Sequence, residues 1–212
     1  MKHSTVEDEP AAAAGLFGER LDIARRFAAD LVEHGETLGL IGPRELERLW
    51  TRHLLNSALV GTLVSPGTLA DIGSGAGFPG LVVAIMRPDV HCTLIEPMER
   101  RVAWLEEEAT RLGLTNVEVM RARAQDVPRD RSFDTVTARA VSPLKKLVPM
   151  TKRLVSPGGQ MVFLKGQRLD DEIREAAQAL TDANLQHIES LVVGPDYNTE
   201  ETRVFRATLG SS

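Results

Sequence analysis

The spacing of apolar residues changes along the chain, and the change divides it into two parts. From Leu16 to Val32, the residues Phe17, Leu21, Ala24, Phe27, Ala28 and Leu31 recur at three- and four-residue steps, with Arg20, Arg25 and Arg26 on other faces. That period predicts an amphipathic helix. Gly35 and Gly39 end it, and Gly42-Pro43 opens a second helix with Leu46, Leu49, Trp50, His53, Leu54 and Ala58 on one stripe. Residues 16–66 therefore read as a helical extension. Residues 1–15, charged and then alanine-rich, are predicted to be disordered or frayed.

Beyond residue 67 short apolar runs alternate with helical periods. Strands are predicted at Leu69–Ile72, Val90–Glu96, Asn116–Arg121, Phe133–Ala140 and Gln160–Gly166, and helices at Met98–Leu112, Pro143–Val155 and Asp170–Asn184. Alternation of this kind builds a parallel, doubly wound α/β sheet over residues 67–212. The last two strands, His187–Val193 and Thr202–Leu209, have no helix between them, only GPDYNTEE, and so predict an antiparallel hairpin at one edge. Seven strands result.

The stretch LADIGSGAGFPGL (Leu69–Leu81) joins the first strand to a helix through Gly73, Gly75, Gly77 and Gly80. Glycines allow backbone angles closed to other residues and let a ligand approach the main chain. The segment Gly75–Gly80 satisfies G-x-G-x-x-G, with Glu96 about twenty residues on. At this point an NAD(P)-dependent oxidoreductase fits as well as any other user of a nucleotide-like cofactor.

Composition narrows the classes. No apolar run approaches the roughly 20 residues that span a bilayer, and the N-terminal MKHSTVEDEPAAAAG has no signal-peptide apolar region. A cytoplasmic protein without a membrane partner is expected, and a monomer. The single Cys92 lies in an apolar run and reads as a buried spectator thiol. No Cys or His cluster has metal-ligand spacing, so no metal is expected. The net charge of −5 hides one asymmetry: Thr135–Leu169 contains no acid, but holds Arg139, Lys145, Lys146, Lys152, Arg153, Lys165 and Arg168. An acid-free stretch suggests an anionic partner, and keeps a non-catalytic RNA-binding module open.

The segments RHLLNS (Arg52–Ser57), DIGSGAGFPG (Asp71–Gly80), RARAQD (Arg121–Asp126), TARAV (Thr137–Val141) and FLKG (Phe163–Gly166), in that order, resemble the ribosomal RNA small-subunit methyltransferase G family, RsmG or GidB. The resemblance covers Leu16 to Phe205. It implies a Rossmann-like class I methyltransferase fold, and methyl transfer from S-adenosylmethionine to N7 of a guanine in 16S ribosomal RNA of the small ribosomal subunit. Carried over by position, Gly73, Gly75, Phe78, Glu96, Ala124, Gln125 and Arg139 fall on the cofactor side, with Glu96 on the ribose hydroxyls and Ala124-Gln125 flanking the adenine. His53, Arg123 and Lys165 fall on the substrate side. Glu96 stands where Asp is common, and Gln125 where Glu is usual. Both keep an acceptor oxygen, which implies retained binding with altered affinity.

Guanine N7 carries a lone pair and can attack a sulfonium methyl without losing a proton, so no catalytic residue is expected. Phe78 could offer a stacking face, while Trp50 and Trp104 read as core at helical spacing. Lys145, Lys146, Lys152, Arg153 and Lys165 are the candidate phosphate contacts.

Overall fold

A computed structural model describes residues 6–210. One sheet holds β1 (Gly67–Ile72), β2 (Val90–Ile95), β3 (Val117–Met120), β4 (Phe133–Arg139), β5 (Val155–Lys165), β6 (Leu185–Val193) and β7 (Thr202–Leu209). Their order is β3-β2-β1-β4-β5-β7-β6. Strands β3 to β5 run parallel, and β7 is antiparallel to both β5 and β6. The terminal hairpin thus forms, with its second strand inserted beside β5 and its first at the edge.

Helices cover both faces, which is why the central strands read as nearly continuous apolar runs. On one face lie α1 (Ala12–Phe17), α2 (Leu21–His34), α3 (Asn56–Gly61), α4 (Gly80–Met86) and α5 (Glu99–Leu112). Phe27, Leu31 and Leu54 of the N-terminal segment share a core cluster there with Leu69, Val83 and Leu94. On the other face α6 (Leu144–Thr151), α7 (Leu169–Glu175) and α8 (Ala177–Asp182) pack Leu144, Val148, Leu169 and Leu180 against Ala70, Ile72 and Phe163.

Several expectations need correction. Residues 1–5 of the predicted frayed terminus lie outside the described residues, but from Glu7 onward the segment is anchored. Glu7 accepts hydrogen bonds from the amides of Trp50 and Thr51, Glu9 pairs with Arg25, and Ala13 is buried. The first helix breaks at Gly18, whose φ is +51°. The second is not one α-helix: a 3-10 segment (Pro43–Arg48) leads into a π-helix (Leu49–Leu55) before α3. The predicted helix Asp170–Asn184 breaks at Ala176, where the backbone leaves helical angles. The stretch Ser156–Gly159, between the predicted helix Pro143–Val155 and the predicted strand Gln160–Gly166, lies within β5, where the register against β4 is irregular.

Candidate functional site

Strand β1 carries Asp71, fully buried, to the base of the glycine loop. Its Oδ2 accepts a hydrogen bond from Gly80 N at 3.0 Å, while Ser74 Oγ donates to Asp71 O at 3.1 Å. Those two bonds fold the loop back on its own strand. Burial pushes the Asp71 carboxyl up to about 6, against the opposing pull of the Gly80 amide. Gly73 and Gly75 have φ of +70° and +59°. A Cβ at Gly73 would lie 3.2 Å from Val141 Cγ2, whereas at Gly75 the nearest atom would be 3.8 Å away. The main chain at Gly75 is therefore bare, as close approach of a cofactor requires.

Glu96, at the end of β2, faces that loop. Its Oε2 accepts from Gly75 N at 3.0 Å and its Oε1 from Met98 N at 2.9 Å. A carboxylate has about four acceptor sites, so two remain for ribose hydroxyls. Trp104, buried as expected, braces the same loop by donating to Ala76 O at 3.1 Å. Ala124 is buried and Gln125 exposed on the short 3-10 turn after β3. The bare glycine backbone, the buried acceptor Glu96 at the end of β2 and a small residue beside an amide after β3 make a set of groups that fits S-adenosylmethionine.

Phe78 does not offer an open face. It is 3% exposed, with ring centroids of Phe27 at 5.6 Å and His53 at 5.2 Å, and the Arg139 guanidinium 4.6 Å over its ring. His53 is likewise enclosed. Arg139 Nη1 lies 2.9 Å from His53 Nδ1, and Glu45 Oε2 lies 2.7 Å from His53 Nε2. A guanidinium has no lone pair to offer, so Nδ1 is the acceptor and Nε2–H donates to Glu45. Burial first, then the Arg139 charge, pushes the His53 imidazole down to about 4, so the ring is neutral at pH 7. Burial also pulls Arg139 down to about 10, with the Asp71 charge opposing.

Beside these residues opens a cavity of about 830 Å³ at the carboxyl ends of β4 and β5, where open α/β sheets bind ligands. His53, Arg139, Lys165, Arg48, Arg52, Asn56, Val141, Ser142, Glu201 and Arg203 line it. Lys165 is not a lone cation. Its Nζ is 2.6 Å from Glu172 Oε2 and donates to Ser142 O at 3.1 Å. Two buried polar atoms on the wall, Ser142 Oγ and Arg203 Nε, have no hydrogen-bond partner among the described residues.

The acid-free stretch separates once folded. Arg153 donates to Ala124 O and Val127 O at 2.6 and 2.8 Å, and Lys152 to Asp182 O at 3.0 Å, so both are structural braces. Arg168 pairs with Asp171. Lys145 and Lys146 are exposed on α6, and Arg123 is exposed before the turn at Ala124. Neither α6 lysine nor Arg123 lines the cavity. The structure thus brings His53, Arg139 and Lys165 to one cavity, with His53 and Arg139 against Phe78 of the glycine loop, and leaves Arg123 apart.

Sequence reasoning missed Glu45, Glu172 and Arg203. Only Glu45 left a signal, lying two helical turns before His53. On α2, Asp30, Glu33 and His34 bring donor atoms within 4.8 Å of one another. Arg111 already lies 3.4 Å from Asp30 there.

The family model for rRNA small subunit methyltransferase G matches residues 20–196. A ribosomal RNA small subunit methyltransferase G from Clavibacter sepedonicus is 54% identical over 98% of this chain and 99% of its own length. The one from Leifsonia xyli is 54% identical over 97% and 98%. Among solved structures, a SAM-dependent O-methyltransferase from Thermotoga maritima superposes with a TM-score of 0.59 at 14% identity, covering 80% of this chain and 71% of its own, a likeness of fold. The chain belongs to the GidB family, the rRNA small subunit methyltransferases G.

Proposed function

We propose that this chain transfers a methyl group from S-adenosylmethionine to N7 of a guanine in 16S ribosomal RNA of the small ribosomal subunit. The observation that carries the reading is family membership over nearly the full length, at 54% identity. The geometry supports it through a bare glycine turn capped by the buried Glu96, and through a cavity at the ends of β4 and β5 lined by arginines, a lysine and glutamates. Gly73, Gly75, Glu96, Ala124 and Gln125 would hold the cofactor. Bound there, S-adenosylmethionine supplies a methyl group activated by a sulfonium.

The protein's own residues orient and exclude water. Guanine N7 needs no general base, and His53, with both ring nitrogens committed, is not placed to act as one. Positive charge develops on the purine, so Arg139 serves better on an anionic or carbonyl group than at the reacting atoms. Alignment of N7, methyl carbon and sulfur lowers the barrier as effective concentration. Lys165, tied to Glu172, holds the loop after β4 rather than presenting a free charge.

The same reading places the protein in the cytoplasm as a monomer acting without a metal. No helix among the described residues is long and apolar enough to cross a membrane. Neither a dinucleotide oxidoreductase nor a non-catalytic RNA module is favoured by the family relationship. Tritium transfer from labelled cofactor to 16S RNA and to 30S particles tests the assignment, with N7-methylguanosine expected on digestion. Absence of label in every ribosomal substrate would overturn it.

A further inference from the structure

Arg139 ends β4 with no carboxylate in direct contact, the Asp71 charge acting on it only from a distance. Nη1 donates to His53 Nδ1 at 2.9 Å and reaches Arg52 O at 3.4 Å, and the guanidinium lies 4.6 Å over the Phe78 ring. Its Nε and Nη2 have no hydrogen-bond partner among the described residues. A guanidinium without a carboxylate partner is usually fixed by several donors acting at once. Here the only side-chain acceptor is a nitrogen that could equally carry a proton. His53 can hold Arg139 only in one tautomer, and the group that selects it is Glu45, 2.7 Å from Nε2. His53 lies in the π-helix Leu49–Leu55, its ring 5.2 Å from the Phe78 centroid and each of its nitrogens within 3 Å of a partner.

We propose that Glu45 and His53 form a positioning relay for Arg139: Glu45 fixes hydrogen on His53 Nε2, and the Nδ1 lone pair this leaves holds the guanidinium across Phe78, so that Nε and Nη2 face an anionic group of the bound reactants. The inference rests on the methyltransferase reading for the identity of those reactants. Two sources of the anion share this chemistry, the carboxylate of S-adenosylmethionine and a phosphate of the RNA. None of the three side chains is assigned a chemical step. Glu45 and His53 act through Arg139.

Protein labelled with 15N-histidine gives the direct readout. At neutral pH His53 should show a protonated Nε2 and an unprotonated Nδ1, and Glu45→Gln should weaken that preference. Calorimetry with S-adenosylmethionine and methylation kinetics against varied 16S RNA then separate the two anions. His53→Phe should lose about tenfold or more in one arm, as expected when a hydrogen bond to a charged group is removed. His53→Gln, whose amide offers an acceptor to Arg139 and a donor to Glu45, should recover most of the loss. A protonated Nδ1, or His53→Phe equal to wild type in both arms, overturns the relay. If His53→Phe fails to fold, the nitrogen spectrum and the glutamine variant still decide. Failure of wild type to bind S-adenosylmethionine would count against the methyltransferase reading and leave the nitrogen spectrum to judge the relay.

Discussion

Lys165 Nζ lies 2.6 Å from Glu172 Oε2, and the same carboxylate oxygen accepts from Leu144 N at 3.1 Å at the start of α6. One acid on α7 thus neutralises the lysine at the end of β5 and caps the next helix along the cavity wall. The lysine side chain is 9% exposed and the glutamate 24%. Removing either partner strands the other in a poorly solvated place. Glu172→Gln should cost about 1–3 kcal/mol, less than for a fully buried pair because water still reaches the carboxylate. Urea unfolding should show a lower midpoint at unchanged slope, and an unchanged midpoint would deny the brace.

Gly73 is the loop position where added bulk should act on function first. A valine there must adopt φ of +70° and would place its Cβ 3.2 Å from Val141. A β-branched residue in the left-handed region costs about 1–2 kcal/mol before any contact is counted. Gly73→Val should abolish cofactor binding by calorimetry while lowering the melting temperature by only a few degrees, about 2–4 °C per kcal/mol at this chain length. Retention of wild-type cofactor affinity would remove Gly73 from the site.

The sheet was legible because each strand's apolar run is bounded by turn residues and because the missing helix before the last strand forces a hairpin. The first two helices were legible as apolar stripes but not as geometry. A stripe through Leu46, Leu49, Trp50 and His53 reads the same whether the turns are 3-10, α or π. At the site, sequence placed Gly73, Glu96, Arg139 and Lys165 at strand ends but could not see their partners. Glu172 and Glu45 meet Lys165 and His53 only after the chain folds. For the same reason the acid-free stretch overstated free charge, since Arg153 is spent on the carbonyls of Ala124 and Val127.

Glu108 on α5 is fully buried, its Oε1 has no hydrogen-bond partner among the described residues, and burial together with the Asp30 charge pushes its carboxyl up to about 8. Arg111, 3.2 Å from Oε2, offsets only part of this. The folded protein therefore holds this proton more tightly than the unfolded chain, where a glutamate titrates near 4.3. Its contribution to stability is full below about pH 4.3 and is lost as the pH rises toward about 8. Glu108→Gln keeps the shape and stays neutral, so it should melt roughly 10 °C or more above wild type at pH 9 and much closer to it at pH 5. Parallel melting curves across that range would contradict the shift.

Lys145 and Lys146 remain exposed on α6, while Arg153 is bound to backbone carbonyls. Only a cation free to displace counterions from phosphate contributes to the salt slope of RNA binding, at about 0.7–0.9 per contact. Lys145→Ala with Lys146→Ala should weaken 16S RNA binding and flatten the slope by about one to two, leaving cofactor affinity unchanged. Arg153→Met should do the reverse: the slope stays, and the turn holding Ala124 and Gln125 loosens, so cofactor affinity falls about tenfold with the loss of two charge-assisted bonds. Filter binding at several salt concentrations, with calorimetry on the same variants, separates the two. A flatter slope in Arg153→Met would return that arginine to the RNA surface, where the charge pattern alone had placed it.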